Sequence, residues 1–438
     1  MKKEIINHLD TDLYKETLDN GLLVYICPIK KHDAHASLVT KYGSDAREFI
    51  PRGKKEFIKI PEGTAHFLEH KMFETENGED PMVLYSNNGA SSNAYTSSNV
   101  TRYYFTGASH FFENLKILLD CITTPYFTKE NIKKEQGIIT QEINTGNDNP
   151  GQRIYYLANE NLFVNHPHKE TTAGTSETIS KLTPEILYDC YNTFYHPSNM
   201  YLVITGNVDP NKTIKFVKDY YKDKKYPKPE TIKIKKYTEP NKVKTKMKEI
   251  QMDITNKILT IAYKVKIDNK REKFLTNLYL LIYLDILFSE MSPLFDENHK
   301  DKNILTHIGY FIENVDDYII IYFDTEVIND EDILDKINKE INKKEFSEED
   351  FNLLVKNIVK SAILSTENVN VMANLIVNQE LTYGKFYNDL YDIYKNLNYH
   401  DCKEFIQSLD FSYYTKGIIK SLDKKHKIWF LYKNMINY

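Results

Sequence analysis

Apolar runs and amphipathic stretches alternate along the chain, and their periods predict strands and helices. Apolar runs bounded by turn residues predict strands at 21–28, 36–42, 91–96, 101–107 and 200–206. Apolar residues at helical spacing predict helices at 64–73, 111–123, 128–144, 151–163 and 183–194. The first half of the chain is therefore expected to combine strands and helices.

The same order recurs in the second half, after a segment that cannot form a core. Residues 221–248 are rich in Lys and Pro and predict an exposed linker. Beyond it, the pattern predicts strands at 258–265, 318–325 and 427–432, and helices at 271–291, 331–343 and 347–364. We therefore expect a first domain at 1–220, a linker at 221–248 and a homologous second domain at 249–438.

Charge and composition narrow the classes of partner. The chain has 438 residues and a net charge of -5, which gives no electrostatic case for a nucleic-acid partner. No apolar run reaches the length of about 18 residues typical of a membrane span, so no membrane partner is expected. The first residues lack the apolar core of a signal peptide, and the scattered cysteines indicate free thiols, so we expect a cytoplasmic protein.

The segment from His66 to His70 carries the most specific chemical signal. His66 and His70 are four residues apart, which on a helix places both imidazoles on one face, within reach of one metal ion. Glu69 lies beside His70 and can accept a proton from a metal-bound water. This H-x-x-E-H order is a metallopeptidase signature, with roughly 0.03 matches expected by chance in such a chain. The alternative is a solvated helix, which Phe67 and Leu68 make too apolar.

A third ligand is expected from another element, because catalytic zinc sites usually have three protein ligands and one open position. The predicted helix 128–144 contains Glu135 and Glu142, seven residues apart and therefore on one face. We assign Glu142 as the third ligand and Glu135 as the group that orients a histidine or the water. Spacing alone leaves open that both are solvated residues of an amphipathic helix.

These residues resemble the insulinase, pitrilysin and mitochondrial-processing-peptidase family. The resemblance continues at the landmarks of the first half, namely Asn20-Gly21-Leu22, Gly43-Ser44, Gly89, Asn93-Ala94-Tyr95-Thr96, Thr101-Arg102-Tyr103, His166-Pro167, Gly174-Thr175, Tyr195, Asn199-Met200 and Gly206-Asn207-Val208. It covers about residues 15–210 strongly and the remainder weakly. It implies an α+β fold of two tandem domains, each a mostly antiparallel sheet packed with helices. It also implies a zinc cofactor, the ligand set above, and cleavage of peptides in a chamber between two halves.

The resemblance also implies how a substrate is held. In the family the peptide is added as a strand, and Asn93 and Ala94 match the edge-strand positions that pair with it. Backbone pairing selects an extended peptide more than a particular sequence. The alternative for Asn93 is an ordinary turn residue.

The second half departs from the family pattern of Leu-Arg-Glu followed by Tyr. The nearest stretch is Leu294–Glu297, where Phe295 stands in place of the Arg, and Arg271 lies too early in the sequence. Tyr310 is the candidate for the Tyr that would stabilise the oxyanion. We therefore expect the zinc-bearing subunit of a heterodimer, with a homologous partner supplying the Arg and Tyr. A homodimer is the second choice.

The predicted function is that of a zinc-dependent endopeptidase that cleaves peptides or processes a precursor or leader peptide. One alternative is a non-catalytic scaffold or peptide-binding subunit of a processing complex, although this chain keeps all the motif residues that such subunits tend to lose. Another is a chaperone-like peptide-binding module with a closed, four-ligand structural zinc site. His168 is the residue that could complete such a site.

Overall fold

The computed structural model describes residues 1–6, 11–268, 271–290, 292–294, 307–327, 332–365 and 368–422. Its strands are β1 Lys2–Ile5, β2 Asp12–Thr17, β3 Leu23–Pro28, β4 Ala34–Thr40, β5 Glu48–Phe49, β6 Ile58–Lys59, β7 Ala90–Thr96, β8 Thr101–Gly107, β9 Met200–Gly206, β10 Met247–Met252, β11 Lys257–Lys266, β12 Gly309–Val315, β13 Tyr318–Val327 and β14 Tyr414–Ser421.

The helices alternate with these strands along the chain. They are α1 Thr64–Lys71, α2 Pro81–Asn87, α3 Phe111–Thr123, α4 Lys129–Asn147, α5 Pro150–Leu162, α6 Ser176–Ile179, α7 Pro184–Phe194, α8 Pro210–Tyr221, α9 Lys273–Phe288, α10 Ile333–Lys343, α11 Glu348–Ser365, α12 Val369–Tyr383, α13 Leu390–Lys395 and α14 Tyr399–Ser408. None of the helices in the described ranges is long and apolar enough to cross a membrane.

The first compact unit comprises Met1–Ile143, Thr171–Lys236 and Ile358–Asn396. Its seven-stranded sheet has the order β1-β2-β3-β9-β4-β8-β7, and only β3 and β9 pair in parallel. Strand β9 is buried along its whole length because both faces of the sheet are covered. Leu202 and Ile204 point into the core formed with α1, α3 and α7, whereas Tyr201 and Val203 pack against α12.

The second compact unit comprises Asn144–Glu170, Tyr237–Asn357 and Leu397–Tyr438. Its five-stranded sheet has the order β10-β14-β11-β13-β12, and here β10 and β14 are the parallel pair. The five strands β3-β9-β4-β8-β7 of the first unit follow the same order, with the parallel pair at the same end. The predicted α+β fold and its internal repeat are therefore confirmed.

The compact units do not follow the predicted linear division into 1–220, 221–248 and 249–438. Helix α5 belongs to the second unit, where Leu157 and Leu162 pack against its sheet. Helix α12 belongs to the first unit, where Met372 and Ile376 pack on the sheet. Periodicity along a helix reveals an apolar face, but it does not reveal which of two similar sheets that face covers.

Most of the predicted elements are present. The sequence did not predict β1, β2, β10 and β12, which lie at sheet edges or next to them and are only partly buried. It also did not predict the strands β5, β6 and β14 or the helices α2, α6, α8, α12, α13 and α14. The predicted strand 427–432 and the ends of the predicted helices at 291 and 331 lie outside the described residues. Strand β14 is the last strand in the described part of the chain, and it pairs with β10 on one side and β11 on the other. All four cysteines are buried free thiols.

Candidate metal centre

Helix α1 carries the two histidines, and a glycine fixes where it begins. Gly63 precedes the helix with φ of 83°, and a Cβ there would lie 2.4 Å from the carbonyl oxygen of Ala173. Phe67 and Leu68 on one side of the helix are fully buried in the core of the first unit. The imidazoles therefore project from the opposite side, with ring centroids 4.6 Å apart.

Helix α4 supplies the third candidate ligand. It is held to the core by Ile132, Ile139 and Ile143, so that Glu142 faces the two rings. Glu142 Oε1 lies 3.5 Å from His66 Nε2, and Glu142 Oε2 lies 3.4 Å from His70 Nε2. The three side chains predicted from the sequence thus converge, with their ligand atoms all within 4.8 Å of one another.

The donor set and its spacing fit zinc. Ligand atoms bonded at about 2.0–2.2 Å to a tetrahedral ion lie about 3.4 Å from each other, which matches the two separations to Glu142. Two imidazoles and one carboxylate are a usual set for a catalytic zinc with an open position. In the part of the chain that the structure describes, this is the one group of three such residues close enough to hold a metal.

Glu135 orients one of the histidines. Its Oε1 lies 3.0 Å from Nδ1 of His70, so the ring can donate from Nδ1 and keep Nε2 turned toward Glu142. Burial alone lowers the pKa of His70, but the Glu135 hydrogen bond and the nearby carboxylates raise it above its usual value. Among the described residues, Nδ1 of His66 has no hydrogen-bond partner. The two histidines are therefore supported unequally.

Lys71 is a buried cation beneath this site, which the sequence pattern did not reveal. Its side chain is fully buried, pairs with Glu74 and donates to the backbone carbonyl of Asn131 at 3.4 Å. Burial lowers the pKa of Lys71, and the nearby charge of Glu135 opposes that shift. In turn, Lys71 helps to keep Glu135 ionised.

Glu69 is positioned as a buried carboxylate beside the two histidines. It is 7% exposed, and the hydroxyl of Thr96 donates to its Oε2 at 2.6 Å. Burial raises the pKa of Glu69, while the Thr96 hydrogen bond and the two histidines limit that rise. The sequence analysis named Thr96 only as a landmark of the family resemblance and gave it no role, because no spacing rule links a strand residue to a helix earlier in the chain.

Thr96 also connects the site to an edge of the sheet. Among the described residues, strand β7 pairs with β8 on one side and is the last strand of the sheet. Asn93 and Ala94 lie within β7, opposite Tyr104 and Tyr103, so Asn93 is a strand residue and not a turn residue. Strand β7, which carries these two residues, ends at Thr96, the hydrogen-bond partner of Glu69. Their contact with a substrate stays a prediction.

The second-half residues are engaged within the second unit. The Tyr310 hydroxyl on β12 donates to Asp285, and burial together with this carboxylate raises the pKa of Tyr310. The Arg271 guanidinium lies 5.7 Å from the ring centre of Tyr279 and 5.6 Å from that of Phe405. Phe295 lies outside the described residues, and the role of Tyr310 at the substrate stays a prediction.

His168 does not complete a four-ligand site. It is buried in the second unit, and its Nε2 lies 3.1 Å from Glu313 Oε2. It is not part of the group formed by His66, His70 and Glu142. The described residues thus offer three ligands, as in an open site.

Comparison with known proteins agrees with the α+β fold of two similar units. Residues 59–176 match the family described as "Insulinase (Peptidase family M16)", and residues 181–358 match the "Peptidase M16 inactive domain". The uncharacterized zinc protease YmfH of Bacillus subtilis is 42% identical over 295 residues, which cover 67% of this chain and 69% of that protein. The mitochondrial-processing peptidase subunit beta of Caenorhabditis elegans is 30% identical over 185 residues, 41% of this chain and 40% of that subunit.

The solved structures extend the likeness to nearly the whole chain. A putative M16-like peptidase from Alicyclobacillus acidocaldarius superposes with a TM-score of 0.89 at 25% identity, covering 95% of this chain and all of that one. A protease from Helicobacter pylori superposes with a TM-score of 0.79 at 19% identity, covering 93% of this chain and 99% of that one, which shows a shared fold. With both halves matched and the H-x-x-E-H histidines converging on Glu142, the chain belongs to the insulinase family, peptidase family M16.

Proposed function

We propose that the protein is a zinc-dependent endopeptidase that cleaves extended peptides. The observation that carries the proposal is the convergence of His66, His70 and Glu142 beside the buried carboxylate of Glu69. The relatives named zinc proteases support the same cofactor and the same class of reaction.

The residues of the chain divide the chemistry among them. A zinc ion held by the three ligands would supply Lewis acidity to the scissile carbonyl and to a water molecule. Glu69 takes a proton from the water as its oxygen attacks the carbonyl carbon. It delivers that proton to the amine nitrogen when the C–N bond breaks. Thr96 holds the Glu69 carboxylate, and Glu135 holds the His70 ring in the orientation that the reaction needs.

The edge of β7 provides a place for the peptide. An extended substrate added beside Asn93 and Ala94 would pair with backbone groups and extend the sheet by one strand. Its chain would then run toward Thr96, the hydrogen-bond partner of Glu69. Peptides without stable structure satisfy this requirement, whether they are leader peptides, precursors or fragments.

A second subunit is part of the proposal. The chain would act as the zinc-bearing subunit of a heterodimer, and a homologous partner would supply an Arg and a Tyr to the oxyanion. The support is the scarcity of Arg in the second half, where Arg271 is the sole one and stacks on two aromatic rings. One similar protein is itself named as a subunit, the beta subunit of a mitochondrial-processing peptidase. A homodimer is the alternative.

Cleavage of a quenched fluorescent peptide library by the pure chain tests the proposal, with bound zinc measured by elemental analysis. Glu69→Gln should keep the metal and lose turnover by at least about 10²-fold, and Glu76→Gln, an exposed neighbour, should change neither. His70→Ala should lose both.

Each outcome has a definite meaning. Chelator-sensitive cleavage that Glu69→Gln abolishes supports the peptidase and argues against an obligate partner. About one zinc per chain without cleavage points to a missing subunit, which adding a homologous chain should correct. Zinc binding without turnover in any mixture would favour the non-catalytic scaffold, and absence of zinc binding would refute the proposal.

A further inference from the structure

Two segments of the first unit concentrate positive charge in a chain that is negative overall. Residues 51–59 and 222–236 together contain eleven Lys and Arg and three Asp and Glu, a local balance of +8 against -5 for the whole chain. Lys54 pairs with Asp189 and Lys235 pairs with Glu48, which reduces the local balance to +6. The net charge of the chain therefore conceals a basic region.

The two segments lie side by side and are held by backbone contacts. The amide of Ile50 donates to the carbonyl of Lys233 at 3.0 Å, and the amide of Lys235 donates to the carbonyl of Glu48 at 2.8 Å. Arg52 Nη1 donates to the carbonyl of Lys228 at 3.0 Å. We call the surface formed by residues 51–59 and 222–236 the basic face. These contacts make it a built surface and not a loose linker.

Apolar side chains are exposed within the same face. Phe57 is 51% exposed and Ile234 is 41% exposed, although each is flanked by lysines in sequence or in the neighbouring segment. Between the segments lies a cavity of about 250 Å³, lined in part by Lys54, Lys55 and Lys233 together with Glu230. The face thus combines cationic groups, protruding apolar groups and a small cationic cavity.

We propose that the basic face docks the protein onto the surface of a bilayer that contains anionic phospholipids. The lysines match the charge of phosphate headgroups, and the cavity can receive one of them. Phe57 and Ile234 match the boundary between headgroups and acyl chains, which accepts apolar groups beside cationic ones. A nucleic acid or a soluble acidic protein would satisfy the charges but would gain little from the aliphatic chain of Ile234.

This surface contact revises the expectation that the protein has no membrane partner. That expectation rested on the lack of a spanning segment, which does not address a peripheral contact. The proposal does not depend on the peptidase chemistry, because His66, His70 and Glu142 belong to other elements of the unit.

Cosedimentation with vesicles tests the proposal, using the full chain and vesicles of phosphatidylcholine alone or with phosphatidylglycerol. Binding should require phosphatidylglycerol and weaken as salt is raised. Lys55→Glu/Lys228→Glu/Lys233→Glu should lower the partition coefficient at least about 100-fold, since each lysine near an anionic surface contributes on the order of fivefold. Phe57→Ser should lower it about fivefold, because about half of the ring is available for burial.

A matched variant separates location from net charge. Lys339→Glu/Lys356→Glu/Lys360→Glu changes the charge equally at exposed positions outside the basic face and should bind like the unaltered chain. Equal losses in both triple variants would overturn the proposal, as would equal binding to both kinds of vesicle. Displacement from the vesicles by soluble polyglutamate, with no effect of Phe57→Ser, would assign the face to an acidic macromolecule instead. Unfolding midpoints of all variants report that each is folded.

Discussion

Replacing Glu135 by Gln isolates the support that one residue gives to the metal site. The substitution keeps the size of the side chain and a hydrogen-bond acceptor near His70 Nδ1, but it removes the negative charge. Glu142 and both imidazole Nε2 atoms are unchanged. The difference in metal affinity then reports the charge that Glu135 places on the far side of the His70 ring.

The size of the effect follows from the geometry. The Glu135 side chain is 13% exposed and that of His70 is 26% exposed, so solvent screens their 3.0 Å contact only in part. A hydrogen bond to a charged group is worth about 1.5–3 kcal/mol, against about 0.5–1.5 for a neutral one. The loss of about 1–1.5 kcal/mol corresponds to zinc affinity that is roughly 5–15 times weaker. Removing the acceptor altogether, in Glu135→Ala, should weaken binding by about 10–100-fold.

The pH dependence of this effect has a definite sign. Zinc needs the neutral His70 ring, and Glu135 raises the pKa of His70, so Glu135 favours the competing proton as well as the metal. Above the pKa of His70 the proton is absent, and the full difference between Glu135 and Gln should be seen. As the pH falls through that pKa, the unaltered site loses affinity faster than the variant, and the difference should shrink.

Competition with a chromophoric zinc chelator between pH 6 and 9 measures these affinities. Glu130→Gln, an exposed residue in the first turn of the same helix, serves as the control and should leave affinity unchanged. An affinity for Glu135→Gln within twofold of the unaltered chain at pH 9 would refute the role of Glu135. So would a difference that grows as the pH falls.

Three further predictions concern residues of the first unit. Gly63→Ala should lower the free energy of unfolding by at least about 2 kcal/mol, because the added Cβ would lie 2.4 Å from a backbone oxygen and the backbone there is left-handed. Gly53→Ala, which has open space around it, should lower it by about 1–2 kcal/mol. Urea titrations that rank the two variants equally would contradict this. Burial lowers the pKa of His35 to about 3, so this residue's contribution to stability is fully present above about pH 6.5. As the pH falls from there toward 3, the free energy of unfolding should decrease by about 1.4 kcal/mol per pH unit. His35→Asn should flatten this slope in urea titrations at pH 7 and 4. Thr96→Val removes a hydrogen bond that lowers the pKa of Glu69. The acid limb of the pH profile of kcat/KM should therefore move to higher pH, while zinc affinity stays the same. An acid limb that does not move would argue against Glu69 as the base.

The sequence predicted the local part of the site because that part depends on one helix. The spacing of His66, Glu69 and His70 fixes their common face once the segment is helical, and the apolar residues between them require that the other face be buried. The interior strands β3, β9, β4 and β8 of the first sheet and β11 and β13 of the second were predicted for a similar reason, since their apolar runs reflect burial. The interior strand β14 was not predicted. Edge strands such as β2 and β10 lack that signal because they are held mainly by pairing with a neighbour.

The two glutamates of α4 needed more than spacing. Glu135 and Glu142 are equivalent by spacing, and their assignment as orienting residue and ligand was supported by the family resemblance. The packing of α4 against α1 then places Glu142 at both Nε2 atoms and Glu135 at His70 Nδ1. That packing also buries Lys71, whereas the packing of α1 against β7 brings Thr96 to Glu69. Each of these contacts joins residues on different elements, so no periodicity along the chain encodes it.

The sequence alone revealed an H-x-x-E-H motif on a predicted helix, a repeated order of strands and helices, and an excess of lysine in one segment. The tertiary structure decided which distant residues serve that chemistry, which sheet α5 and α12 cover, and where the lysines gather. The physical reason is that local spacing fixes the direction of a side chain relative to its own helix or strand. What the side chain meets depends on how separate elements bury their apolar faces together.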